Sequence, residues 1–259
     1  LTVRITTSKN MGECILNTNV LVIVAHHEEV EAEFPNTVAA LTCAGCRVLV
    51  YCAVGGWNWS YIRSRGPRGR EITLEEAMKA AEVLGCEKIV RDYSIACLDS
   101  HAEEIKREIA GLMLERSPEI VLVHWPKDRH NDHQDVAELG RRAVTAATSL
   151  SDRDWRNWKA PRELYAFQTG VAQAYDFFPD VLVSCNEETM AMADRAIACF
   201  DPALSEGWKK RFHAKAEYWG DLAGKPCEGL KFLGPALPLD GFLLKKILGD
   251  RLIPAPFHR

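Results

Sequence analysis

The sequence lacks the features that would assign it at once to several classes of protein. No apolar run in its 259 residues approaches the roughly 20 residues that span a bilayer, and residues 1–19 contain no apolar signal-peptide core. No G-x-G-x-x-G or Walker A pattern follows a predicted strand, which disfavours a Rossmann-type nucleotide binder. We therefore expect a soluble, cytoplasmic protein without a membrane span.

A strong charge of one sign is also missing. The 32 basic and 36 acidic residues give a net charge of −4 with the eight histidines counted as neutral. This imbalance is too small to indicate a nucleic acid or an anionic membrane as partner. With 47% apolar and 26% charged residues, the composition is that of an ordinary globular protein with a large core.

The nine cysteines do not form a recognisable scaffold. Their number is odd, and the C-x-x-C pair of Cys43 and Cys46 has no second pair at zinc-ribbon spacing. Most of the others lie within apolar stretches, as Cys52 and Cys97 do, where a thiol packs as a small hydrophobe. We expect the cysteines to be structural.

Strands and helices alternate regularly over the first 150 residues. The pattern predicts strands at 20–25, 47–52, 88–92 and 119–124, with helices at 37–44, 73–85, 100–112 and 133–148. Capping boxes of Thr73 with Glu76 and of Ser100 with Glu103 predict two of the helix starts. The fold class is therefore α/β: a Rossmann-like, doubly wound, mainly parallel sheet with helices on both faces.

The whole chain, 1–259, is predicted to be a single domain. Residues 1–18 form an N-terminal arm, and residues 152–259 form a C-terminal elaboration in which the pattern is looser. Within that elaboration we predict strands at 164–168 and 181–183 and helices at 187–200 and 208–222. The Pro- and Gly-rich tail from Gly224 is expected to wrap around the domain.

Two polar clusters follow predicted strands. Residues 25–29 read Ala-His-His-Glu-Glu directly after the first strand, and residues 130–133 read His-Asn-Asp-His between the fourth strand and its helix. In open α/β sheets, ligands bind beyond the carboxyl ends of the strands, where the strand order reverses. Since the first and fourth strands are neighbours near that point in the common orders, we expect the clusters to face one crevice.

The residue types in these clusters suit a divalent metal such as zinc. His26, Glu29 and His133 would supply two imidazoles and one carboxylate, and a catalytic zinc keeps a further position for water. Glu28 remains as a general base and then general acid toward that water and the leaving group.

The other two residues of the second cluster have supporting roles in this interpretation. His130 would stabilise an oxyanion, and Asp132 would orient one of the histidines. Each cluster also has a simpler interpretation: residues 26–29 as a solvated polar turn, and residues 130–133 as a helix N-terminus capped by Asp132. The pairing of both clusters at adjacent strand ends favours the metal site.

At these residues the sequence resembles the PIG-L / LmbE-like de-N-acetylase family, zinc-dependent hydrolases that remove acetyl groups from N-acetylglucosamine conjugates and related amides. The family motif A-H-P-D-D-E corresponds to residues 25–30, and H-x-D-H corresponds to residues 130–133. Weaker similarity extends through residues 76–85, 167–170, 178–180 and 220–228. The resemblance implies the same roles for the six residues named above.

The first motif departs from the family pattern. Both family aspartates are glutamates here, Glu28 and Glu29, while His27 replaces the proline and Val30 replaces the closing glutamate. Each glutamate carboxylate reaches about 1.5 Å further than an aspartate carboxylate would. Either the backbone recedes to compensate or the substrate, metal or activity differs. His27 is an alternative ligand to Glu29, although neighbouring side chains of an extended segment point to opposite faces.

The sequence offers fewer candidates for substrate binding. Trp57 and Trp59, in the loop after the second strand, could stack on a sugar ring or pack the loop. Asp92, at the end of the third strand, could hold sugar hydroxyls or have a buried or capping role. Arg70 belongs to a basic loop that could meet an anionic substrate group; the other arginines of this loop are Arg63, Arg65 and Arg68.

The leading hypothesis is a zinc-dependent de-N-acetylase, or amidohydrolase, that releases acetate or another acyl group from an N-acylated amino sugar or sugar conjugate. The competing hypothesis is a catalytically altered relative that binds a metal or a sugar derivative. The expected partner is this small molecule, and a homo-oligomer is plausible from the resemblance.

Overall fold

A computed structural model describes residues 17–56, 58–150, 159–170, 174–234 and 241–255. Most of the predicted N-terminal arm therefore lies outside the described residues. The strands, in chain order, are β1 (Asn19–His26), β2 (Arg47–Val54), β3 (Glu87–Tyr93), β4 (Ile120–His124), β5 (Glu163–Phe167), β6 (Val181–Ser184), β7 (Cys227–Gly234) and β8 (Leu252–Pro254). The helices are α1 (Glu29–Glu33), α2 (Pro35–Cys43), α3 (Ser60–Ser64), α4 (Gly69–Leu84), α5 (Ala102–Arg116), α6 (Asn131–Leu150), α7 (Glu187–Ile197), α8 (Pro202–Gly220) and α9 (Leu243–Leu248).

The strands form one sheet in the order β3-β2-β1-β4-β5-β7-β6-β8. The first five in this order are parallel to one another, and the pairs that involve β7, β6 and β8 are antiparallel. β1 is buried from Val20 to His26, as expected of a parallel strand covered on both faces. The predicted α/β fold with a mainly parallel sheet is confirmed.

Apolar side chains form two layers, one on each face of the sheet. On one face Val22 of β1 and Leu122 of β4 pack with helices α2 and α4, and on the other face Ile23 and Val123 pack with α5 and α6. Alternate residues of the same strands therefore serve opposite layers. This double coverage fixes β1 beside β4 at the centre of the sheet.

The reversal of strand order lies between β1 and β4. β2 and β3 extend the sheet on one side of this pair, and β5 extends it on the other. Val20, Leu21 and Val22 pair in parallel with residues 120–122, so both strands end at the same edge. The loops that follow β1 and β4 therefore open at one point, as the common strand orders predict.

The prediction for the C-terminal tail is wrong. Residues 227–234 do not wrap around the domain but form β7, which lies inside the sheet between β5 and β6. Its first residues, Cys227 to Leu230, are buried. Gly224 lies in the turn just before β7. The local abundance of Gly and Pro indicates this turn, and it led to the strand that follows being overlooked.

The two predicted capping boxes are also wrong. α4 begins at Gly69, four residues before Thr73, and the Arg65 guanidinium donates to Thr73 Oγ1 at 2.9 Å and to Glu76 Oε1 at 2.6 Å. Ser100 belongs to a 3₁₀ turn that precedes α5, and Glu103 pairs with Lys106. In both cases the side chains that the local pattern assigned to a helix cap bind other groups instead.

The described part of the chain contains no helix that is long and apolar enough to cross a membrane. The longest described helix, α6, carries several charged side chains, among them Glu138, Arg141 and Arg142. Its buried side packs against β1 and β4 at Gly140, where the nearest neighbours are the side chains of Val123 and Ile23.

Gly140 tests this packing. A Cβ at this position would lie 2.9 Å from Val123 Cγ1 and 3.1 Å from Ile23 Cδ1, so Gly140→Ala must push α6 away from the sheet. We expect the free energy of unfolding to fall by about 1–3 kcal/mol. Urea denaturation followed by circular dichroism measures this change.

Gly111→Ala is the matched control. Gly111 lies in the interior of α5, is exposed, and has no atom within 4 Å of the position of an added Cβ. The substitution should raise the free energy of unfolding by about 0.5–1 kcal/mol because alanine favours the helix. Equal effects of the two substitutions would contradict the close approach of α6.

Candidate metal centre

The two polar clusters meet at the reversal of strand order. His26 is the last residue of β1, and Glu29 is the first residue of α1, three positions later. His133 lies in the first turn of α6, after the loop that leaves β4. All three side chains are buried, with 8% or less of each residue exposed. The fold therefore places the three predicted ligands in one buried site.

Three ligand atoms converge on a single point. Glu29 Oε1 lies 2.8 Å from His26 Nδ1 and 2.6 Å from His133 Nε2, and the two nitrogens are 3.3 Å apart. Ligands of a tetrahedral zinc, with bonds of about 2.0–2.1 Å, lie about 3.3 Å from one another. The three atoms are therefore close to zinc-binding separation, with the carboxylate drawn slightly inward.

The remaining nitrogen of each histidine faces a carboxylate. His26 Nε2 lies 3.1 Å from Asp132 Oδ2, and His133 Nδ1 lies 3.1 Å from Asp128 Oδ1. Such partners keep a proton on the outer nitrogen and leave the lone pair of the inner nitrogen for a metal. Asp132 therefore lies where its predicted role of orienting a histidine requires, and Asp128 is equally close to the other histidine.

This arrangement requires protons or a metal ion between the three atoms. With protons on their outer nitrogens, neutral His26 and His133 would direct two lone pairs at a carboxylate oxygen 2.6–2.8 Å away. Three acceptors at these separations repel one another unless protons or a metal ion lie between them. The donor set of two imidazoles and a carboxylate suits zinc and related divalent metals, so the residues present fit such an ion.

The pKa values show how protons are held in the metal-free cluster. Burial acts to lower the pKa of His133, but the charge of Glu29 and the contacts with the Asp128 and Glu29 carboxylates together outweigh it and raise this pKa to about 9. The pKa of His26 is likewise raised, against burial, mainly by Glu29. Burial opposes ionisation of Glu29, yet His124, His133 and His26 hold its pKa well below the usual value.

The side chain of Glu29, which is longer than the aspartate of the family motif, makes further contacts inside the site. Its Oε2 accepts the backbone N–H of His26 at 2.8 Å and lies 2.7 Å from Nε2 of His124, the fully buried last residue of β4. One carboxylate therefore contacts three imidazoles. Glu29, His124 and His133 also form a second group whose donor atoms lie within 4.8 Å of one another, and His26, His130 and His133 form a third.

Glu28 lies beside the cluster but outside it. Its side chain is 19% exposed and lines the cavity above the three ligand atoms, while its buried Oε2 has no hydrogen-bond partner among the described residues. Nδ1 of His27 lies 3.4 Å from this Oε2, and burial lowers the pKa of His27, so its imidazole is neutral near pH 7. The His27 ring lies 6.2 Å from the ring of Phe200, so it points away from the ligand atoms and belongs to none of the possible metal groups.

His130 lies over the cluster in a defined orientation. Its ring centroid is 4.7 Å from those of both His26 and His133, and its Nδ1 accepts the backbone N–H of Asp132 at 3.2 Å. Burial lowers the pKa of His130, so its imidazole is neutral near pH 7. With Nδ1 used as an acceptor, the proton lies on Nε2, which is then a donor toward the cavity.

A cavity of about 270 Å³ opens above these side chains. Its floor is the polar cluster, and Trp59, Ile95, Trp208 and Arg211 contribute to its walls. The cavity is at the small end of the range for ligand sites. It leaves room for a small acyl amide and the ring that carries it.

Comparison with known proteins identifies the family of this domain. Residues 21–144 match the family model PIG-L, described as GlcNAc-PI de-N-acetylase. The family match therefore covers just under half of the chain. The diacetylchitobiose deacetylase of Thermococcus kodakarensis is 25% identical over 233 residues, which cover 83% of this chain and 82% of that protein. The recognition of the family is confirmed, and with it a metal-dependent amide hydrolase of the deacetylase type.

Solved structures share the fold of this chain at lower identity. The N,N′-diacetylchitobiose deacetylase from Pyrococcus horikoshii superposes with a TM-score of 0.64 at 18% identity, covering 83% of this chain and 84% of that one. The 4-carboxy-2-hydroxymuconate hydratase GalB from Pseudomonas putida KT2440 superposes with a TM-score of 0.68 at 20% identity, covering 85% and 98%. Since the same fold carries a hydratase, the fold alone does not set the reaction.

Two of the three predicted substrate-binding residues lie elsewhere. Asp92 and Arg70 form an ion pair at 2.7 Å, both more than half exposed, and line a separate depression rather than the cavity. The reason is the strand order: β3 is the edge strand, three places from β4, so its end lies away from the reversal point between β1 and β4. Trp57 lies outside the described residues, whereas Trp59 does line the cavity.

Sequence reasoning missed several residues of the site. Three of them contact the predicted ligands or their partners: His124, Asp128 and Thr169. The hydroxyl of Thr169 donates to Asp128. Burial acts to raise the pKa of Asp128, but its contacts, mainly that with His133, lower this pKa to about 2. His124 could have been predicted as a site residue, because it ends a strand at the reversal point.

The prediction that Cys97 is packed is wrong, because its side chain is exposed. No cysteine of the described residues belongs to a possible metal group.

The raised pKa values predict that metal binding releases protons. His133 and His26 are protonated at pH 7 in the metal-free protein, and a metal needs their lone pairs. Zinc should therefore displace roughly one to two protons at pH 7, and its affinity should rise with pH until about pH 9. Titration calorimetry in two buffers of different protonation enthalpy measures this number.

The matched control is His101→Gln, because His101 is exposed and lies outside the cluster. Its proton release should equal that of the unaltered protein, whereas His133→Gln should bind zinc far more weakly. Zinc binding at pH 7 without any proton release would contradict the proposed proton positions.

Proposed function

We propose that the protein is a zinc-dependent de-N-acetylase that releases acetate, or another acyl group, from an N-acylated amino sugar or sugar conjugate. The observation that carries this proposal is the convergence of His26, Glu29 and His133 below a cavity that also holds Glu28 and His130. The family model and the diacetylchitobiose deacetylase of T. kodakarensis support an N-acetylated sugar as the substrate class.

The metal supplies two effects when it is bound by His26, Glu29 and His133: it polarises the amide carbonyl and lowers the pKa of a water molecule to about 7. Asp132 and Asp128 hold the histidine rings in place through their outer nitrogens. The remaining polar side chains of the cavity are then available for proton transfer and charge stabilisation.

Glu28 is proposed as the general base and then the general acid. It takes a proton from the attacking water as the new carbon–oxygen bond forms, and it delivers that proton to the nitrogen as the carbon–nitrogen bond breaks. Within the described part of the chain its buried Oε2 has no hydrogen-bond partner, which leaves the atom available for this transfer. The products are a carboxylate and a free amine.

His130 is proposed to stabilise the oxyanion. Its Nε2 proton faces the cavity because its Nδ1 is engaged by the backbone of Asp132. A neutral imidazole donor at this position gains strength as negative charge develops on the former carbonyl oxygen. Removal of one such donor typically reduces kcat by about 10²–10³-fold.

The principal alternative is a protein that binds a metal or a sugar derivative without turnover. The Asp-to-Glu changes at Glu28 and Glu29 motivate it, since activity is sensitive to shifts of about 1 Å. The contacts of Glu29 with both ligand histidines argue against a displaced ligand. The cytoplasmic location and a homo-oligomeric state stay predictions.

The test is Glu28→Gln, assayed for release of free amine from a panel of N-acetylglucosamine conjugates. Because Glu28 contacts none of the ligand atoms, the variant should keep one equivalent of zinc, yet its turnover should fall by about 10²–10⁴-fold. Glu82→Gln, on the exposed face of α4, is the control and should keep both zinc and turnover.

If Glu28→Gln loses both zinc and turnover, Glu28 is a metal ligand, and the proposal has assigned the metal ligand and the general base the wrong way round. Absence of amine release by the unaltered, zinc-loaded protein across the whole panel would favour the binding protein. Metal content by mass spectrometry and amine release by fluorescence labelling separate these outcomes.

A further inference from the structure

The solvent end of the cavity carries one permanent cation. Arg211 lines the cavity with a side chain that is 40% exposed, whereas the ligand side chains at the floor are 10% exposed or less. Among the described residues that line this cavity, it is the one lysine or arginine. Arg211 therefore lies where a substrate would leave the cavity.

The position of Arg211 is fixed relative to the metal ligands. Its Nη2 donates to Glu33 Oε1 at 2.8 Å, and Glu33 is buried and lies four residues after Glu29 in α1. Side chains four residues apart on a helix have Cβ atoms about 5–6 Å apart. The guanidinium is thus held one helical turn from the metal-binding carboxylate.

The charge of Arg211 is not cancelled by Glu33. The second oxygen of Glu33 accepts from Lys215 Nζ at 2.8 Å, and both of these side chains are only 4% exposed. Lys215 also donates to the carbonyl oxygen of Gln168, which fixes the buried pair. Because Lys215 already balances Glu33, the group of three carries a net positive charge at its exposed member.

Arg211 also has unused hydrogen-bonding capacity. A guanidinium has five N–H donors in a planar fork, and Glu33 takes one of them. Trp208, one turn earlier on α8, lines the same wall, and Trp59 also lines the cavity. Aromatic walls beside a planar cation suit a sugar ring that bears a phosphate or a carboxylate.

Three of the four arginines expected from the sequence to meet an anion form ion pairs outside the cavity. Arg65 binds Glu76 at 2.6 Å, Arg68 binds Glu71 at 2.7 Å, and Arg70 binds Asp92 at 2.7 Å. None of them lines the cavity. The positively charged side chain that lines the cavity, Arg211, belongs instead to α8, in the C-terminal part of the chain.

We propose that Arg211 binds an anionic group, a phosphate or a carboxylate, on the amino sugar whose acyl amide lies over the metal centre. This inference rests on the proposed deacetylase function and narrows its substrate class to anionic amino sugar derivatives. Arg211 acts on specificity, since it binds the far side of the substrate and takes no part in bond breaking.

The experiment measures binding of deacetylated products, which needs no turnover. Zinc-loaded protein is titrated by calorimetry with glucosamine, glucosamine 1-phosphate, glucosamine 6-phosphate, the corresponding uronic acid and inorganic phosphate. We expect at least one anionic sugar to bind roughly 10- to 100-fold more tightly than glucosamine, the range typical of a charge-assisted hydrogen bond. The phosphate and carboxylate arms decide which anion is preferred.

Arg211→Gln should remove this preference, and Arg211→Lys should restore part of it because the charge returns without the planar fork. Arg142→Gln, on the exposed face of α6, is the matched control and should keep the preference. Equal affinity for neutral and anionic sugars would overturn the proposal. So would a preference that persists in Arg211→Gln, or inorganic phosphate binding as tightly as the sugar phosphates.

Hydrolysis of the matching N-acetyl sugars is measured in parallel. If none of them is hydrolysed while product binding still depends on Arg211, the deacetylase function fails and the anion site stands. If hydrolysis occurs with no preference for an anion, the function stands and the role of Arg211 fails.

Discussion

The contact of one carboxylate oxygen with two imidazole nitrogens is the interaction on which the site depends. Glu29 Oε1 faces the inner nitrogens of His26 and His133 at 2.8 and 2.6 Å, and each outer nitrogen lies 3.1 Å from a carboxylate oxygen, of Asp132 or of Asp128. A group of acceptors this close is stable only with protons or a metal ion among them. The residues around the cluster are organised by this requirement.

The sheet makes the contact possible by placing β1 beside β4. His26 ends β1, and the loop after β4 leads into the first turn of α6, where His133 lies. α1 starts directly after β1 and carries Glu29 toward the cluster and Glu33 toward Arg211. One short helix thus connects the centre of the site with the cation at its solvent end.

The sequence predicts those features of the fold and the site that depend on short-range patterns and on the order of the strands. A buried β-branched run predicts β1, and the strand-order rule brings His26, Glu29 and His133 together. The rest depends on partners distant in sequence. Thr73 does not start α4 because Arg65 binds it, Asp92 misses the cavity because β3 is an edge strand, and Arg211 reaches the site from 178 residues after Glu33. Such contacts leave no local pattern.

Zinc-edge X-ray absorption of the reconstituted protein tests the central claim most directly, since it counts the atoms bound to the metal. The account predicts one zinc per chain with two imidazole nitrogens at about 2.0–2.1 Å and oxygen neighbours that include one carboxylate. A shell with sulfur, with a single imidazole, or with no protein nitrogen would contradict a metal centre built on Glu29.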